Sequence, residues 1–130
     1  MAPVPALLVM HADLAAALLR AAETVYGPVD GVEVLSNEGL SRDALEQAID
    51  ERVAAWPAGG LVLTDFWGGS CHQCGVSAAR GHQEIAVVSG LNLPILLDYL
   101  HNRAQFDPGA LAERLQKKGQ DSIRVQRGAA

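Results

Sequence analysis

The chain has 130 residues, enough for one domain with a substantial core, and its 49% hydrophobic and 19% charged residues are typical of a globular protein. A net charge of -5, with only 10 lysines and arginines, excludes the basic surface that holds nucleic-acid backbones. No apolar run approaches the roughly 20 residues that span a bilayer. The amino terminus also lacks the charged leader of a signal peptide, so we expect a cytoplasmic chain without membrane insertion. We expect residues 1–130 to form a single domain.

Four short apolar runs show little alternation, which is typical of strands that are buried on both faces. They cover Val4 to Met10, Val32 to Leu35, Gly60 to Thr64 and Ile85 to Ser89. A last short run, SIRVQ from Ser122 to Gln126, is a candidate edge strand.

The segments between these runs have the patterns of helices. The first two carry apolar stripes at helical spacing, namely Leu14, Leu18, Ala21 and Val25, and then Leu45, Ile49 and Val53. Two later helices are indicated by their starts, because Pro94 and the pair Asp107 and Pro108 suit a first turn. Gly119 indicates the end of the last helix.

This alternation of strand and helix predicts an α/β fold. We expect an open, mainly parallel sheet of about four strands with helices on both faces and right-handed crossovers, plus a short C-terminal edge strand. In such sheets ligands bind beyond the carboxyl ends of the strands, where the strand order reverses. His11 follows the first strand and Asp65 follows the third, so both should lie at that edge.

A histidine beside an aspartate can act as an activated nucleophile. If Asp65 accepts the N–H of one ring nitrogen of His11, the other nitrogen keeps its lone pair free. The carboxylate also stabilises the positive charge that grows on the ring during attack. Spacing alone leaves packing and capping roles for both residues open, and such roles are common at strand ends.

The residues after Asp65 indicate what the nucleophile attacks. Gly68 and Gly69 allow a tight turn before a helix that we expect to begin at Ser70. The N–H groups of about residues 70–72 would then face the site with the positive end of the helix dipole behind them, which favours an anion. Phosphoryl transfer needs little beyond such positioning and charge stabilisation.

Three blocks of the chain resemble, in order and spacing, the mannose-type IIA domains of the bacterial sugar phosphotransferase system. They are LLVMHADLAAALLRAAETVYG, GLVLTDFWGGS and VVSGLNLPILLDYL, and the resemblance covers nearly the whole chain. The phosphotransfer subunits of dihydroxyacetone kinases are related, but they usually have a shorter string like D-L-G-S after the third strand. The string DFWGGS therefore favours the mannose type.

The resemblance implies a phosphoryl relay. A histidine that corresponds to His11 would accept a phosphoryl group from an HPr-like phosphocarrier and pass it to a IIB domain or a regulatory protein. Asp65 would support that histidine, and the backbone of Gly68, Gly69, Ser70 and Cys71 would bind the phosphoryl group. No cofactor is required. Family members commonly form homodimers that exchange a C-terminal strand, a role that the SIRVQ run can fill.

The chain departs from the family pattern at two places in the expected phosphoryl pocket. The family usually has Thr-His-Gly where this chain has Met-His-Ala, so Ala12 adds a methyl group beside the nucleophile. It usually has Ser-Pro-x-Asn where this chain has Ser-Cys-His-Gln, so Cys71 restores a backbone N–H that proline lacks. Both changes predict a reshaped pocket or an altered partner.

Cys71 and Cys74, with His72 between them, support an alternative function. A C-x-x-C pair at a helix start is where thiol oxidoreductases place their redox cysteines, because the helix dipole lowers the thiol pKa. The same pair is also a common half of a zinc site, in which His11 and His72 are further candidate ligands. The chain lacks both a thioredoxin-type signature and a second half-site. The alternative is therefore a metal-binding or thiol-redox sensing module that uses the Cys71/His72/Cys74 cluster.

Three further residues are candidates for docking a partner or lining the site. An exposed Trp67 could contact a carrier protein, cover the site or simply pack. His72 could modulate the proton affinity of His11. Asn92 lies in the loop after the fourth strand, and its position is equally compatible with shaping that loop and with lining the site.

Overall fold

The computed structural model describes residues 2–129, in which four strands alternate with helices as expected. The strands are β1 (Ala6–Met10), β2 (Val32–Ser36), β3 (Gly60–Thr64) and β4 (Ile85–Ser89). The helices are α1 (Leu14–Tyr26), α2 (Arg42–Val53), α3 (Ser70–Ala79), α4 (Leu93–Asn102) and α5 (Pro108–Ser122). Among residues 2–129, none of these helices combines the length and the apolarity that crossing a bilayer requires.

The sheet is fully parallel, with strand order β2-β1-β3-β4, which confirms the predicted α/β fold. The chain runs from β1 outward to β2 and then returns to place β3 on the other side of β1. The strand order therefore reverses between β1 and β3. A crevice outside the carboxyl ends of these two strands is where such sheets bind ligands.

Side chains of β1 alternate between the two faces of the sheet, and all five are buried. Ala6, Leu8 and Met10 join a core with α1, α4 and α5, while Leu7 and Val9 join a second core with α2 and α3. Burial on both faces explains why the strand is a continuous apolar run in the sequence.

The helical stripes were predicted correctly for α2 and wrongly for α1. In α2, Leu45, Ile49 and Val53 are all buried. In α1 the expected stripe is largely exposed at Leu14, Ala21 and Val25. The helix instead buries Ala15 and Ala22, with Leu18 and Leu19 packed partly against the same core. Two small residues on the inner face allow α1 to lie close to the sheet and to α4. This close packing stabilises the fold more than burial of the larger apolar residues in the alternative stripe would.

The end of α5 also differs from the prediction. Gly119 does not end the helix, which continues to Ser122. A Cβ at Gly119 would lie 2.8 Å from the Cδ1 of Ile95, so this glycine permits a close approach of α5 to α4. Residues 123–129, the last that the structure describes, form no strand within the chain. Exchange of the SIRVQ segment between subunits stays a prediction.

Candidate functional site

His11 and Asp65 meet where β1 and β3 end. The two strands are neighbours, with Val9 opposite Thr64, so the residues that follow leave the sheet side by side. The Oδ2 of Asp65 accepts a hydrogen bond from the backbone N–H of His11 at 2.9 Å. The same oxygen lies 2.7 Å from the ring Nδ1 of His11. A carboxylate at Nδ1 favours the tautomer with the proton on that nitrogen, which leaves the lone pair on Nε2.

The carboxylate of Asp65 is held in its charged form. Burial raises its pKa, but hydrogen bonds from the backbone and ring of His11 outweigh burial, so the pKa of Asp65 is lowered. Its second oxygen, Oδ1, accepts the backbone N–H of Phe66 at 3.1 Å. An ionised, hydrogen-bonded carboxylate can orient the imidazole and stabilise a positive charge on it.

We expect the stabilising contribution of the Asp65 carboxylate to be lost in acid. Because its folded pKa is depressed, the contribution is present above the unfolded value of about 3.9. It is lost as the pH falls through the folded pKa. In urea unfolding at a series of pH values, the free energy of unfolding of the wild type should fall relative to that of Asp65→Asn below about pH 4. A difference that stays constant down to about pH 2 would contradict this assignment.

Phe66 is a site residue that sequence reasoning missed. Its ring stacks on the His11 ring, with centroids 5.2 Å apart and planes inclined by 26°. A Cβ at Gly69 would lie 2.6 Å from the Phe66 ring, so the glycine leaves space for this stack. The available signal was an aromatic residue directly after Asp65, at the functional edge of the sheet.

Asn37 was missed as well. Ala12 has a φ of 52°, in the left-handed region that favours glycine. The side-chain Oδ1 of Asn37 accepts the backbone N–H of Ala12 at 3.2 Å. Asn37 directly follows β2, so it reaches the loop after β1 from the neighbouring strand and supports the strained residue beside His11.

The turn after Asp65 leads into α3, which begins at Ser70 as expected, with Gly69 as its N-cap and no side chain capping it. The N–H of Gln73 bonds to the carbonyl of Gly69. The N–H groups at positions 70, 71 and 72 lie in the first helical turn, where an α-helix leaves them without an intrahelical acceptor. These groups form a ready anion site at the positive end of the helix dipole.

The two glycines of the turn already use their N–H groups. Gly68 donates to Nδ1 of His72 at 3.0 Å, and Gly69 donates to the carbonyl of Phe66 at 3.4 Å. They therefore shape the turn, and the available donors begin at Ser70. The hydroxyl of Ser70 is also 3.4 Å from Nε2 of His11, the nitrogen that carries the lone pair.

Comparison with known proteins shows the family of this chain. The sequence profile of the EIIA-man family, described as PTS system fructose IIA component, matches residues 6–116. The chain belongs to this family. It is 29% identical over 118 residues to the sorbose-specific EIIA component of the PTS system from Klebsiella pneumoniae, covering 87% of this chain and 84% of that relative. The sorbose-specific EIIA component from Lacticaseibacillus casei is 27% identical over 115 residues, with 85% and 82% covered.

The fold of this IIA protein is also that of solved relatives. The crystal structure of phosphotransferase system component EIIA from Streptococcus agalactiae superposes with a TM-score of 0.87 at 23% identity. The match covers 94% of this chain and 96% of that one. IIA components are phosphotransfer proteins of the sugar phosphotransferase system, so this chain has a transferase role in that system.

The remaining candidates of this IIA protein make contacts other than with His11. His72 is buried, accepts the N–H of Gly68 and packs against the Trp67 ring at 4.3 Å. It thereby supports the turn and a tryptophan that is 80% exposed. Asn92 caps α4 by accepting the N–H of Ile95, and with Trp67 it lines a cavity of about 490 Å³ between β4 and α5.

The two thiols of this IIA protein face different partners. The Sγ of Cys71 is 3.7 Å from Nδ1 of His11, whereas that of Cys74 is 3.6 Å from the carbonyl of Arg42. Burial, with smaller contributions from the charges of Asp65 and Cys74, raises the pKa of Cys71 to about 11. Burial also raises the pKa of Cys74. The expected lowering of the thiol pKa by the helix dipole is therefore wrong, because desolvation outweighs it.

The Cys71/His72/Cys74 cluster does not form a metal site as the sequence suggested. Within residues 2–129, the group of three possible metal ligands that converges is His11, Asp65 and Cys71, whose ligand atoms lie within 4.8 Å of one another. Nδ1 of His72 is occupied by the N–H of Gly68, and Cys74 points toward α2. Of the four candidate ligands, the structure thus keeps His11 and Cys71 together, separates His72 and Cys74 from them, and adds Asp65.

Proposed function

We propose that His11 accepts a phosphoryl group on Nε2 from a phosphorylated HPr-like carrier and passes it to a IIB domain or a regulatory protein. The observation that carries this proposal is the 2.7 Å contact between Nδ1 of His11 and Asp65, at the point where the strand order reverses. Membership of the IIA family supports the same chemistry. A cytoplasmic location and a single domain over residues 1–130 stay predictions.

In the first step, the lone pair on Nε2 attacks phosphorus as the bond between phosphorus and the carrier breaks. The electron pair of the broken bond stays with the carrier, and the His11 ring acquires positive charge. Asp65 stabilises that charge through the proton on Nδ1. The second transfer reverses these events, with the acceptor protein supplying the attacking atom.

The transferred group needs donors for the charge on its equatorial oxygens. The amides of Ser70, Cys71 and His72 at the start of α3 would supply them, together with the helix dipole. The Ser70 hydroxyl, 3.4 Å from Nε2, would lie beside the transferred group. These groups need no rearrangement at the moment of transfer, which is the basis of electrostatic stabilisation.

The surroundings of the site suit a docking protein. Phe66, which stacks on His11, and Trp67, which follows it in the chain, are 54% and 80% exposed, and aromatic residues of this kind are favoured at protein interfaces. We assign them to contacts with the carrier and the acceptor. We also propose a homodimer, because β4 is an edge strand and Ile123 and Val125 of the SIRVQ segment are 79% and 87% exposed.

The test is to incubate metal-free protein with phosphorylated HPr-like carrier and to follow its intact mass. We expect one acid-labile phosphoryl group per chain in the wild type and none in His11→Ala. His82→Ala is the matched control, because His82 also pairs with a carboxylate, Asp50, at 2.7 Å. Nitrogen-15 NMR of the labelled ring should place the phosphoryl group on Nε2. Phosphorylation of His11→Ala at the wild-type level would overturn the assignment.

The redox alternative receives no support from the thiols. Attack and oxidation require the thiolate, and the raised pKa of Cys71, about 11, keeps that thiol protonated at neutral pH. Metal binding is a separate possibility with a different ligand set. If the purified protein held zinc stably and its metal-free form accepted no phosphoryl group, a metal-binding module would replace the relay.

A further inference from the structure

The thiol of Cys71 contacts the Nδ1 side of the His11 ring, on the other side of the ring from the Nε2 atom that would take the phosphoryl group. Its Sγ is 3.7 Å from Nδ1 of His11, and Nδ1 is 2.7 Å from Oδ2 of Asp65. One ligand atom from each of these three residues lies within 4.8 Å of the other two, although the residues come from the ends of β1 and β3 and the start of α3. The relay as proposed uses only the backbone of Cys71.

We propose that this chain binds Zn²⁺ through His11, Asp65 and Cys71, and that the bound ion blocks phosphoryl acceptance. The second half of this statement rests on the proposed function. Imidazole nitrogen, carboxylate oxygen and thiolate sulfur are the three ligand types that zinc takes in proteins. Three protein ligands with a fourth position open to water is a common zinc geometry.

The distances are close to those that zinc requires. With Zn–N and Zn–O of about 2.1 Å and Zn–S of about 2.3 Å in a tetrahedron, nitrogen and sulfur lie about 3.6 Å apart. The observed Nδ1–Sγ separation is 3.7 Å. The nitrogen and oxygen atoms would lie about 3.4 Å apart, so the Asp65 carboxylate must move back from its present 2.7 Å. The His11 side chain is 38% exposed, which gives the ion access to the site.

Zinc would disable the histidine by moving a proton. The ion takes the lone pair of Nδ1, so the single proton of the neutral ring moves to Nε2. The nitrogen that attacks phosphorus then has no free lone pair. The Cys71 thiol loses its proton to solvent as the thiolate binds the metal. Asp65 becomes a metal ligand and no longer stabilises a positive ring. Zinc binding at Nδ1 and phosphoryl acceptance at Nε2 are therefore mutually exclusive, because each requires the ring proton to be on the other nitrogen.

The first experiment measures metal binding alone, by equilibrium dialysis of the full chain with Zn²⁺. We expect one ion per wild-type chain and at least roughly 100-fold weaker binding by Cys71→Ala, because loss of even an outer-shell partner of a ligand costs about 10- to 100-fold and here a direct ligand is lost. Cys74→Ala is the matched control, since Cys74 is equally buried in α3 but faces the carbonyl of Arg42. It should bind zinc like the wild type. With Co²⁺, the wild type should show a thiolate-to-cobalt charge-transfer band that Cys71→Ala lacks.

Circular dichroism checks that the variants fold, and His11→Ala provides a second test at a partly exposed ligand. Equal zinc affinity in Cys71→Ala, His11→Ala and the wild type would overturn the site. The absence of a one-to-one complex would also overturn it.

The second experiment measures the initial rate of phosphorylation by the carrier, with and without one equivalent of Zn²⁺. The ratio of the two rates within each variant isolates the effect of the metal. We expect zinc to inhibit the wild type and Cys74→Ala at least 10-fold and to leave the rate of Cys71→Ala nearly unchanged by the ion. One-to-one zinc binding without inhibition would refute the competition. A metal-free wild type that accepts no phosphoryl group would instead refute the proposed function, while the dialysis result would still stand.

Discussion

Asp65→Asn should slow phosphoryl acceptance by His11 by about 10³-fold or more. The carboxylate Oδ2 accepts from both the backbone N–H and the ring Nδ1 of His11, which fixes the ring and its tautomer. An asparagine can present its NH₂ group to Nδ1 and so place the ring proton on Nε2, where it blocks attack. It also lacks the negative charge that stabilises the phosphorylated ring. The measurement is the initial rate of phosphorylation by the carrier, followed by intact mass.

The chain contains a matched control for this substitution. Asp50 and His82 form a second aspartate–histidine pair at 2.7 Å, at the ends of α2 and α3 where the chain has returned toward the amino ends of the strands. Asp50→Asn makes the same chemical change far from the carboxyl edge and should leave the rate unchanged. A rate for Asp65→Asn within about threefold of the wild type would show that the carboxylate neither orients nor stabilises the ring.

Much of the fold follows from the sequence because its patterns have simple physical causes. Strands buried on both faces must be apolar throughout, so β1 and β3 are readable at nearly the right boundaries. Parallel strands joined by helices then bring the residue after each strand to one edge. That rule alone places His11 and Asp65 together, although 54 positions separate them.

Features that depend on packing between helices and strands cannot be predicted from such local sequence patterns. The inner face of α1 depends on how closely α4 approaches, and the pattern of large apolar residues gives the wrong face. Glycine is the residue type typical of a helix end, but the role of Gly119 is to make room for Ile95 on a neighbouring helix. Both errors arise because a local pattern was interpreted without its tertiary neighbours.

The candidate site shows the same division. The proximity of His11 and Asp65 was predictable from chain position, whereas the residues that contact and support this pair were not. Phe66 and Asn37 contact His11 and Ala12 through loops whose paths the sequence does not specify. The thiol pKa was also misjudged, because a C-x-x-C motif indicates the helix dipole but not the depth of burial that opposes it.

Gly59→Ala should destabilise the protein by about 3 kcal/mol or more. Gly59 lies just before β3, at the end of the strand opposite Asp65, and it has a φ of +80°. A Cβ there would lie 2.1 Å from the backbone oxygen of Glu84. That oxygen accepts the N–H of Gly60 and so fixes the start of the β3–β4 pairing. The added methyl group must therefore displace one strand from the other.

Gly39→Ala separates the clash from the backbone strain. Gly39 has a similar φ of +74°, but a Cβ at that position meets no atom within 4 Å. The left-handed conformation alone costs about 1 to 2 kcal/mol for alanine. A part of that cost is offset because alanine has less freedom than glycine in the unfolded chain. Urea unfolding should therefore show a clearly smaller loss for Gly39→Ala than for Gly59→Ala. Equal losses would mean that β3 and β4 can separate at this end without cost, and that the pairing which carries Asp65 to His11 is held by the rest of the two strands.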